Sequence, residues 1–365
     1  MEKIYTSLGL MSGTSLDGID ASIIISDGEK LINIEENQYF AYTRDFQSQL
    51  RDFINECDGI EFVKKNKETF NDLERELTLL HRKISDAIIM RYKKNIDFVG
   101  FHGQTITHQP KKKYSIQMGD AKLLSQLLKK KIIYDFRAND IENNGNGAPL
   151  ACIYHYNLSK KLNLFEPVIF LNIGGISNIT YVNGNQLIAK DIGPGNVLID
   201  EYIKKNSTFN YDKDGKIALR GKINHEIIKF FLETELQNLK KKKSLDRKDF
   251  SYQFINGLEF NDAVATLTYL TANIISIFLN ENYETSTKII LCGGGRKNTT
   301  LINHIKYLSK KKITRIDDLG IDGDYIESQA FAYLSIRSIL KKNISFPQTT
   351  NSPKPLTGGK LIKNF

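Results

Sequence analysis

Asp191 ends a strand-like run, Gln186–Lys190, and is followed at once by Ile192-Gly193-Pro194-Gly195-Asn196. Glycine and proline fix a sharp turn there, and Asn196 is placed to cap the helix that follows. A carboxylate at such a corner can take a proton from a bound hydroxyl or water; the alternative is that Asp191 only braces the turn. A second carboxylate, Glu327, opens Glu-Ser-Gln-Ala-Phe-Ala-Tyr-Leu at the start of a helix, where a charge favourable to the helix dipole is the competing explanation. Phosphate chemistry is suggested by residues 11–20, Met-Ser-Gly-Thr-Ser-Leu-Asp-Gly-Ile-Asp. Gly13 and Gly18 leave room for a large anion near the main chain. Ser12, Thr14 and Ser15 add hydroxyl donors, and successive N–H groups in such a turn form an anion-binding nest. Leu16 and Ile19 complete the run, and Asp17 and Asp20 flank Gly18. A carboxylate beside phosphates is repulsive unless a cation intervenes, so Asp17 is the candidate Mg²⁺ contact. A turn-stabilising aspartate is the alternative, most strongly for Asp20.

The design recurs. Phe170–Tyr181 again reads strand, glycine turn, strand, with Gly174, Gly175 and Ser177 at the turn, about 160 residues after the first copy. A third cluster, Gly293-Gly294-Gly295, lies between the strand-like Lys288–Leu291 and the helix-like Asn298–Leu308, where glycines let a ligand lie against the backbone. Together these imply a nucleotide site, with Gly174, Gly175 and Ser177 toward the outer phosphates and Gly293–Gly295 toward the adenosine. His102, Gln104 and Thr105 follow the buried run Asp97–Phe101, and ligand contacts gather at strand ends in open α/β sheets. His102 alone reads more readily as a packed histidine. Arg137 and Asp140 follow Ile132–Asp135; a guanidinium fork suits a carboxylate ligand, and an ordinary ion pair is the alternative. Asp120 reads as a helix cap.

Alternating strands and helices carry these residues, which predicts α/β domains with covered sheets. Strands are expected at 4–10, 21–26, 37–42, 97–101 and 132–135, then near 167–172, 177–182, 187–191, 287–291 and 313–316. Helices are expected at 46–58, 66–92 and 121–129, then near 196–205, 223–239, 261–280, 298–308 and 324–341. The expected division is residues 1–140, 141–342 and an irregular tail, 343–365. Lys240–Ser244 reads as an exposed loop.

The chain resembles the anhydro-N-acetylmuramic acid kinases of the sugar kinase, actin and heat-shock-70 ATPase superfamily. The matching stretches are residues 11–20, 100–110 (GFHGQTITHQP), 117–121 (QMGDA), 135–141 (DFRANDI), 147–150 (GAPL), 172–178 (NIGGISN), 191–196 (DIGPGN) with Asp200, 292–298 (CGGGRKN) and 327–334 (ESQAFAYL). The resemblance implies two actin-like, ribonuclease H-like ATPase domains flanking a cleft. It implies ATP and Mg²⁺, with 1,6-anhydro-N-acetylmuramic acid opened and phosphorylated at O6. It makes Asp191 the base, Glu327 a second carboxylate near the attacking water, and residues 13–20 and the other two glycine clusters the ATP contacts. It places His102, Gln104, Thr105, Arg137, Asp140 and Asn196 at the sugar, and it implies a homodimer. The sequence departs from the family pattern at Glu142–Asn146, at Lys241–Ser244 and at Thr357-Gly358-Gly359; asparagine tolerates left-handed backbone angles, so the first of these turns is expected to survive.

Composition bounds the remaining possibilities. The 365 residues carry 41% hydrophobic side chains and a net charge of +9. The lysines fall in scattered clumps, which reads as solvated surface rather than a nucleic-acid face. Three separated cysteines suggest neither a disulfide framework nor a zinc site, and no stretch reads as a membrane span or signal peptide. A cytoplasmic enzyme is expected. A kinase for another amino sugar and a non-catalytic ATP-binding sensor are the rival readings.

Overall fold

The computed structural model describes residues 3–164, 167–241, 245 and 247–365, apart from the side chain of Lys248. It has two compact units, each with its own sheet: residues 1–163 with 325–365, and residues 164–324.

The first unit holds β1 (Tyr5–Ser12), β2 (Gly18–Ser26), β3 (Ile32–Ala41), β4 (Phe98–Gln109), β5 (Tyr114–Met118), β6 (Lys131–Tyr134) and, from the far end of the chain, β12 (Lys360–Ile362). The strand order is β12-β6-β4-β1-β2-β3, with β5 folded back on β4. β1, β2 and β3 form an antiparallel meander, and β4 and β6 run parallel to β1. Leu8–Ser12 is buried without alternation, as expected of a central strand covered on both faces. One cover is helix Lys67–Tyr92, whose buried Leu73, Leu77, Ile84 and Ile88 repeat at helical spacing. The other is helix Ile326–Ile339. Its close approach is set by glycine: a Cβ on Gly9 would lie 2.0 Å from the Ser328 carbonyl oxygen, and one on Gly100 2.4 Å from that of Phe331.

The second unit repeats the plan. It holds β7 (Val168–Ile173), β8 (Ile176–Asn183), β9 (Gln186–Pro194), β10 (Lys288–Cys292) and β11 (Ile313–Arg315) in the order β11-β10-β7-β8-β9. Again three strands form an antiparallel meander and two run parallel to the first. Ile169, Leu171, Ile289 and Leu291 pack against Ala272, Ile275 and Leu279 of helix Phe260–Asn282.

The protein is thus an α/β chain with two sheet-bearing units, and several expectations need correction. The first unit runs to residue 163 rather than 140, because helix Cys152–Lys161, missed in the sequence, packs with it. The closing helix belongs to the first unit, not the second, because the two glycines admit it onto that sheet. The tail is not wholly irregular: Pro347–Thr350 is helical and β12 pairs with β6. Helix Phe260–Asn282 is long and apolar enough to cross a membrane, although no such stretch was read in the sequence. It is a core helix, with 72% of its most apolar window buried. Of the lysine loop, residues 242–244 lie outside the described residues.

Candidate active site

In the first unit, the turn between β1 and β2 is held from behind. Leu16 takes a left-handed φ of 57°, which costs a leucine roughly 1–2 kcal/mol. Its side chain is buried and its carbonyl accepts from Gln47 Nε2 at 2.6 Å. The Asp17 carbonyl accepts from the Tyr42 N–H and the Tyr39 hydroxyl, both at 2.9 Å. Thr14, Ser15 and Asp17 are left exposed, with Ser15 donating to the Asp17 carboxylate. The two glycines part company. A Cβ on Gly13 would meet only Ser15 Oγ, at 3.5 Å, whereas one on Gly18 would lie 2.3 Å from the Phe40 carbonyl oxygen. Gly13 therefore leaves open space, and Gly18 serves strand packing. Gly18, Ile19 and Asp20 belong to β2 rather than to the turn; Ile19 is core and Asp20 half-buried.

The same unit gathers His102, Arg137, Asp140 and Glu327. His102 lies inside β4, which continues to Gln109, and not at a strand end. Its Nδ1 faces the Gly103 carbonyl at 2.8 Å, so Nδ1 carries the proton; Nε2 then accepts from Arg137 at 2.9 Å. A histidine with this pairing is neutral. Burial and the Arg137 charge both hold it well below the usual range. His102 thus stands behind Arg137. Arg137 also donates to the Gly147 carbonyl at 2.6 Å. Burial lowers its pKa to about 10, against the charges of Glu327 and Asp140, so it remains a cation at neutral pH.

Asp140, expected at the sugar, is 1% exposed and has both oxygens engaged: the Gly147 N–H at 2.6 Å and Thr350 Oγ1 at 2.7 Å. It shapes the altered loop, where Asn144 takes the left-handed conformation expected of it (φ 67°), and pins the tail. Glu327 sits in the first turn of its helix with a face open to solvent. Desolvation by the surrounding protein nonetheless raises its carboxyl above the ordinary range, opposed by Arg137. Gln104 is 1% exposed with its Oε1 unpartnered, and Thr105 accepts from Gln117 Nε2 at 3.4 Å. Asp120 caps its helix, accepting from the N–H groups of Lys122 and Leu123.

In the second unit, Asp191 lies on β9 opposite Asn178 of β8, beside a register shift between Ser177 and Asn178. It is half-buried, and its Oδ2 accepts from the Leu245 N–H at 3.1 Å. The β7–β8 turn is laced to the chain just past Asp191. The N–H of Asn196 donates to the Gly174 carbonyl and that of Gly195 to the Gly175 carbonyl, each at 2.8 Å. Gly195 must be glycine, since a Cβ would lie 2.2 Å from the Gly174 carbonyl oxygen. Asn196 precedes its helix without a side-chain cap, contrary to expectation; its amide instead faces the Ile173 carbonyl at 3.5 Å. Ser177, expected to face phosphates, is fully buried and donates to the Pro194 carbonyl at 3.0 Å. It holds the turn's shape from within.

Glycines again separate into two kinds. Gly174 and Gly175 have no atom within 3.4 Å of an added Cβ, and Gly294 has none within 4 Å. Gly293, at φ 75°, and Gly295 are required by Asn172 and Ile173. The loop is fixed by Arg296, which is buried, donates to the Gly293 carbonyl at 3.1 Å and pairs with Asp317 at 2.7 Å and Asp324 at 2.8 Å. Sequence reasoning missed this anchor and the Leu245 contact. The first could have been sought in the aspartates at 317, 318, 322 and 324; the second is a backbone contact with no side-chain signature. Among the described residues, no group of three or more His, Cys, Asp or Glu side chains is placed to hold a metal ion.

Open glycine turns thus occur on two sheets that share the order of five strands, and one of the turns has a carboxylate beside it. The family model described as anhydro-N-acetylmuramic acid kinase matches residues 5–363. The chain is 48% identical to the anhydro-N-acetylmuramic acid kinase of Pelagibacter ubique (strain HTCC1062), with 100% of both chains covered. It is 35% identical to the protein of that name from Agrobacterium fabrum (strain C58 / ATCC 33970), again over 100% of each, and 36% identical to that of Zymomonas mobilis, over 97% of this chain and 99% of the other. The chain belongs to the anhydro-N-acetylmuramic acid kinase family, and is therefore a phosphotransferase.

Proposed function

We propose that this enzyme uses ATP and water to convert 1,6-anhydro-N-acetylmuramic acid into N-acetylmuramic acid 6-phosphate and ADP, a step in peptidoglycan recycling. One observation carries the site assignment: Asp191 stands next to an open glycine turn that is tied to the chain just beyond it. Gly13, Gly174 and Gly294, with room where a side chain would stand, and Gly175, flanked there by Arg247, fit ATP as the second substrate. The reading takes both units as actin-like ATPase domains of ribonuclease H-like topology, which the repeated strand order supports; the catalytic cleft that the resemblance implies belongs to the same proposal.

In this reading Asp191 takes a proton from water as the water oxygen bonds to C1 of the sugar. The C1–O6 bond breaks, O6 accepts the γ-phosphoryl group, and ADP leaves. General-base help of this kind is worth ~10²–10⁴ in rate. The Leu245 N–H helps to fix the carboxylate. By the resemblance Glu327 acts on the same water, and desolvation raises its carboxyl above the ordinary carboxylate range. Arg137, oriented by His102, faces the lactyl carboxylate. Bound ATP supplies the phosphoryl group with Mg²⁺, whose contacts would be mainly phosphate and water oxygens, with Asp17 the protein carboxylate nearest in kind. The reaction is assigned to the cytoplasm and to a homodimer.

ADP release is the test. Purified protein with Mg-ATP should turn over 1,6-anhydro-N-acetylmuramic acid, and not N-acetylmuramic acid or N-acetylglucosamine, and Asp191→Asn should lose ~10²–10⁴ of that rate. Turnover of a different sugar would reassign the substrate. ATP binding without sugar-dependent turnover would leave a sensor.

A further inference from the structure

We propose that Arg247 is the residue that meets the terminal phosphate of ATP, delivered to the Gly174–Gly175 turn by the same short segment that holds Asp191. This rests on the reading of the chain as an ATP-dependent kinase. The Nη2 and Nε atoms of Arg247 lie 3.5 and 3.6 Å from the point where a Gly175 Cβ would stand. Both nitrogens of one edge of the guanidinium therefore lie beside the turn. Such an edge can form paired hydrogen bonds with a phosphate. Two residues earlier, the Leu245 N–H donates to Asp191 Oδ2 at 3.1 Å. Leu245 thus touches the proposed base and Arg247 the proposed phosphate turn.

Charge supports the placement. Phosphoryl transfer requires mostly positioning and charge neutralisation, and an arginine at the transferred group is worth ~10³–10⁵ in rate. The Arg247 charge also reaches Asp200, in the first turn of helix Val197–Asn206, and opposes the burial that raises that carboxyl to about 6. A guanidinium here would neutralise charge on the phosphoryl group.

The test compares two nucleotides. ADP and a non-hydrolysable β,γ-imido analogue of ATP, each with Mg²⁺, are titrated calorimetrically into the wild type, Arg247→Ala and Arg247→Lys. Arg247→Ala should bind the analogue at least ~10-fold more weakly and ADP as before, with kcat down by ~10³. Arg247→Lys keeps the charge without the fork and should fall between; it answers the question if the alanine variant does not fold. Equal weakening of both nucleotides, or of neither, overturns the assignment. So does unchanged analogue binding with a raised KM for sugar, which would put Arg247 at the sugar. Failure of the wild type to bind either nucleotide overturns the kinase reading and this inference together; turnover by a wild type whose Arg247→Ala variant discriminates normally overturns this inference alone.

Discussion

The Nε2 atom of His102 accepts a hydrogen bond from Arg137 at 2.9 Å while its Nδ1 faces the Gly103 carbonyl. The pairing uses both ring nitrogens, so His102 is a positioning residue and has no proton to exchange near neutral pH. Imidazole nitrogen shifts should show a single neutral Nδ1–H tautomer from pH 5 to 8. His102→Ala should leave Arg137 without its lateral support and raise KM for the anhydro sugar by ~10-fold, with kcat changed far less. A pH–rate profile whose limb near 6–7 disappears in this variant would instead make His102 an acid or base.

Acid should weaken the first unit in a definite window. His81 and His155 are buried and held down to about 4, and burial holds His102 well below its ordinary value as well. Unfolded, each titrates near ~6.5. Below that pH the unfolded chain binds protons that the folded chain refuses, so stability falls with pH from about 6.5 toward about 4. The slope is up to ~1.4 kcal/mol per pH unit for each histidine. Urea unfolding at pH 7.5, 6 and 5 checks this, and His81→Leu should flatten the decline. A stability independent of pH across that range would show that these rings are not neutral in the folded chain.

The fold was legible where local pattern decides it. The helical stripe Leu73, Leu77, Ile84, Ile88 and the hairpins around Gly13 and Gly174 lie where the sequence put them. What failed depended on distant contacts. Helix Ile326–Ile339 reads as part of the domain that precedes it, and only the clearance at Gly9 and Gly100, more than 200 residues away, assigns it to the first sheet. Asp140 and Ser177 read as ligand contacts because they are polar and sit in matching motifs. Their hydroxyl and carboxylate atoms turn out to be consumed by Thr350, Gly147 and Pro194, partners that no spacing rule reveals.

Asp140 tests that distinction between holding a ligand and holding the protein. Its removal leaves the buried Gly147 N–H unpaired, at roughly 1–3 kcal/mol, and leaves the Thr350 hydroxyl only the Phe346 carbonyl at 3.4 Å. Asp140→Ala should therefore lower the unfolding midpoint and expose residues 343–365 to proteolysis. Thr350→Val should give a smaller loss of the same kind. At a temperature where the variants remain folded, KM for the sugar should stay within ~2-fold of the wild type. A large KM change with an unchanged melting temperature would return Asp140 to the sugar.

The glycines supply the sharpest contrast, because neighbours of one residue type make opposite predictions. At Gly13 and Gly294 an added methyl group meets nothing closer than 3.5 Å, and neither has the positive φ that penalises alanine. Gly13→Ala and Gly294→Ala should fold with melting temperatures near that of the wild type. Their methyl groups would then occupy the space proposed for phosphate and adenosine, so nucleotide affinity should drop by ~10-fold or more. At Gly18 the methyl group would lie 2.3 Å from a carbonyl oxygen, and at Gly293 2.2 Å from Asn172 Oδ1 with φ at 75°. Gly18→Ala and Gly293→Ala should lose ~1–3 kcal/mol of stability through overpacking, Gly293→Ala with added backbone strain. Thermal melts and nucleotide titration on the four proteins separate the two classes. If Gly13→Ala and Gly294→Ala melt normally and bind nucleotide normally, the open space at these turns is not where ATP lies.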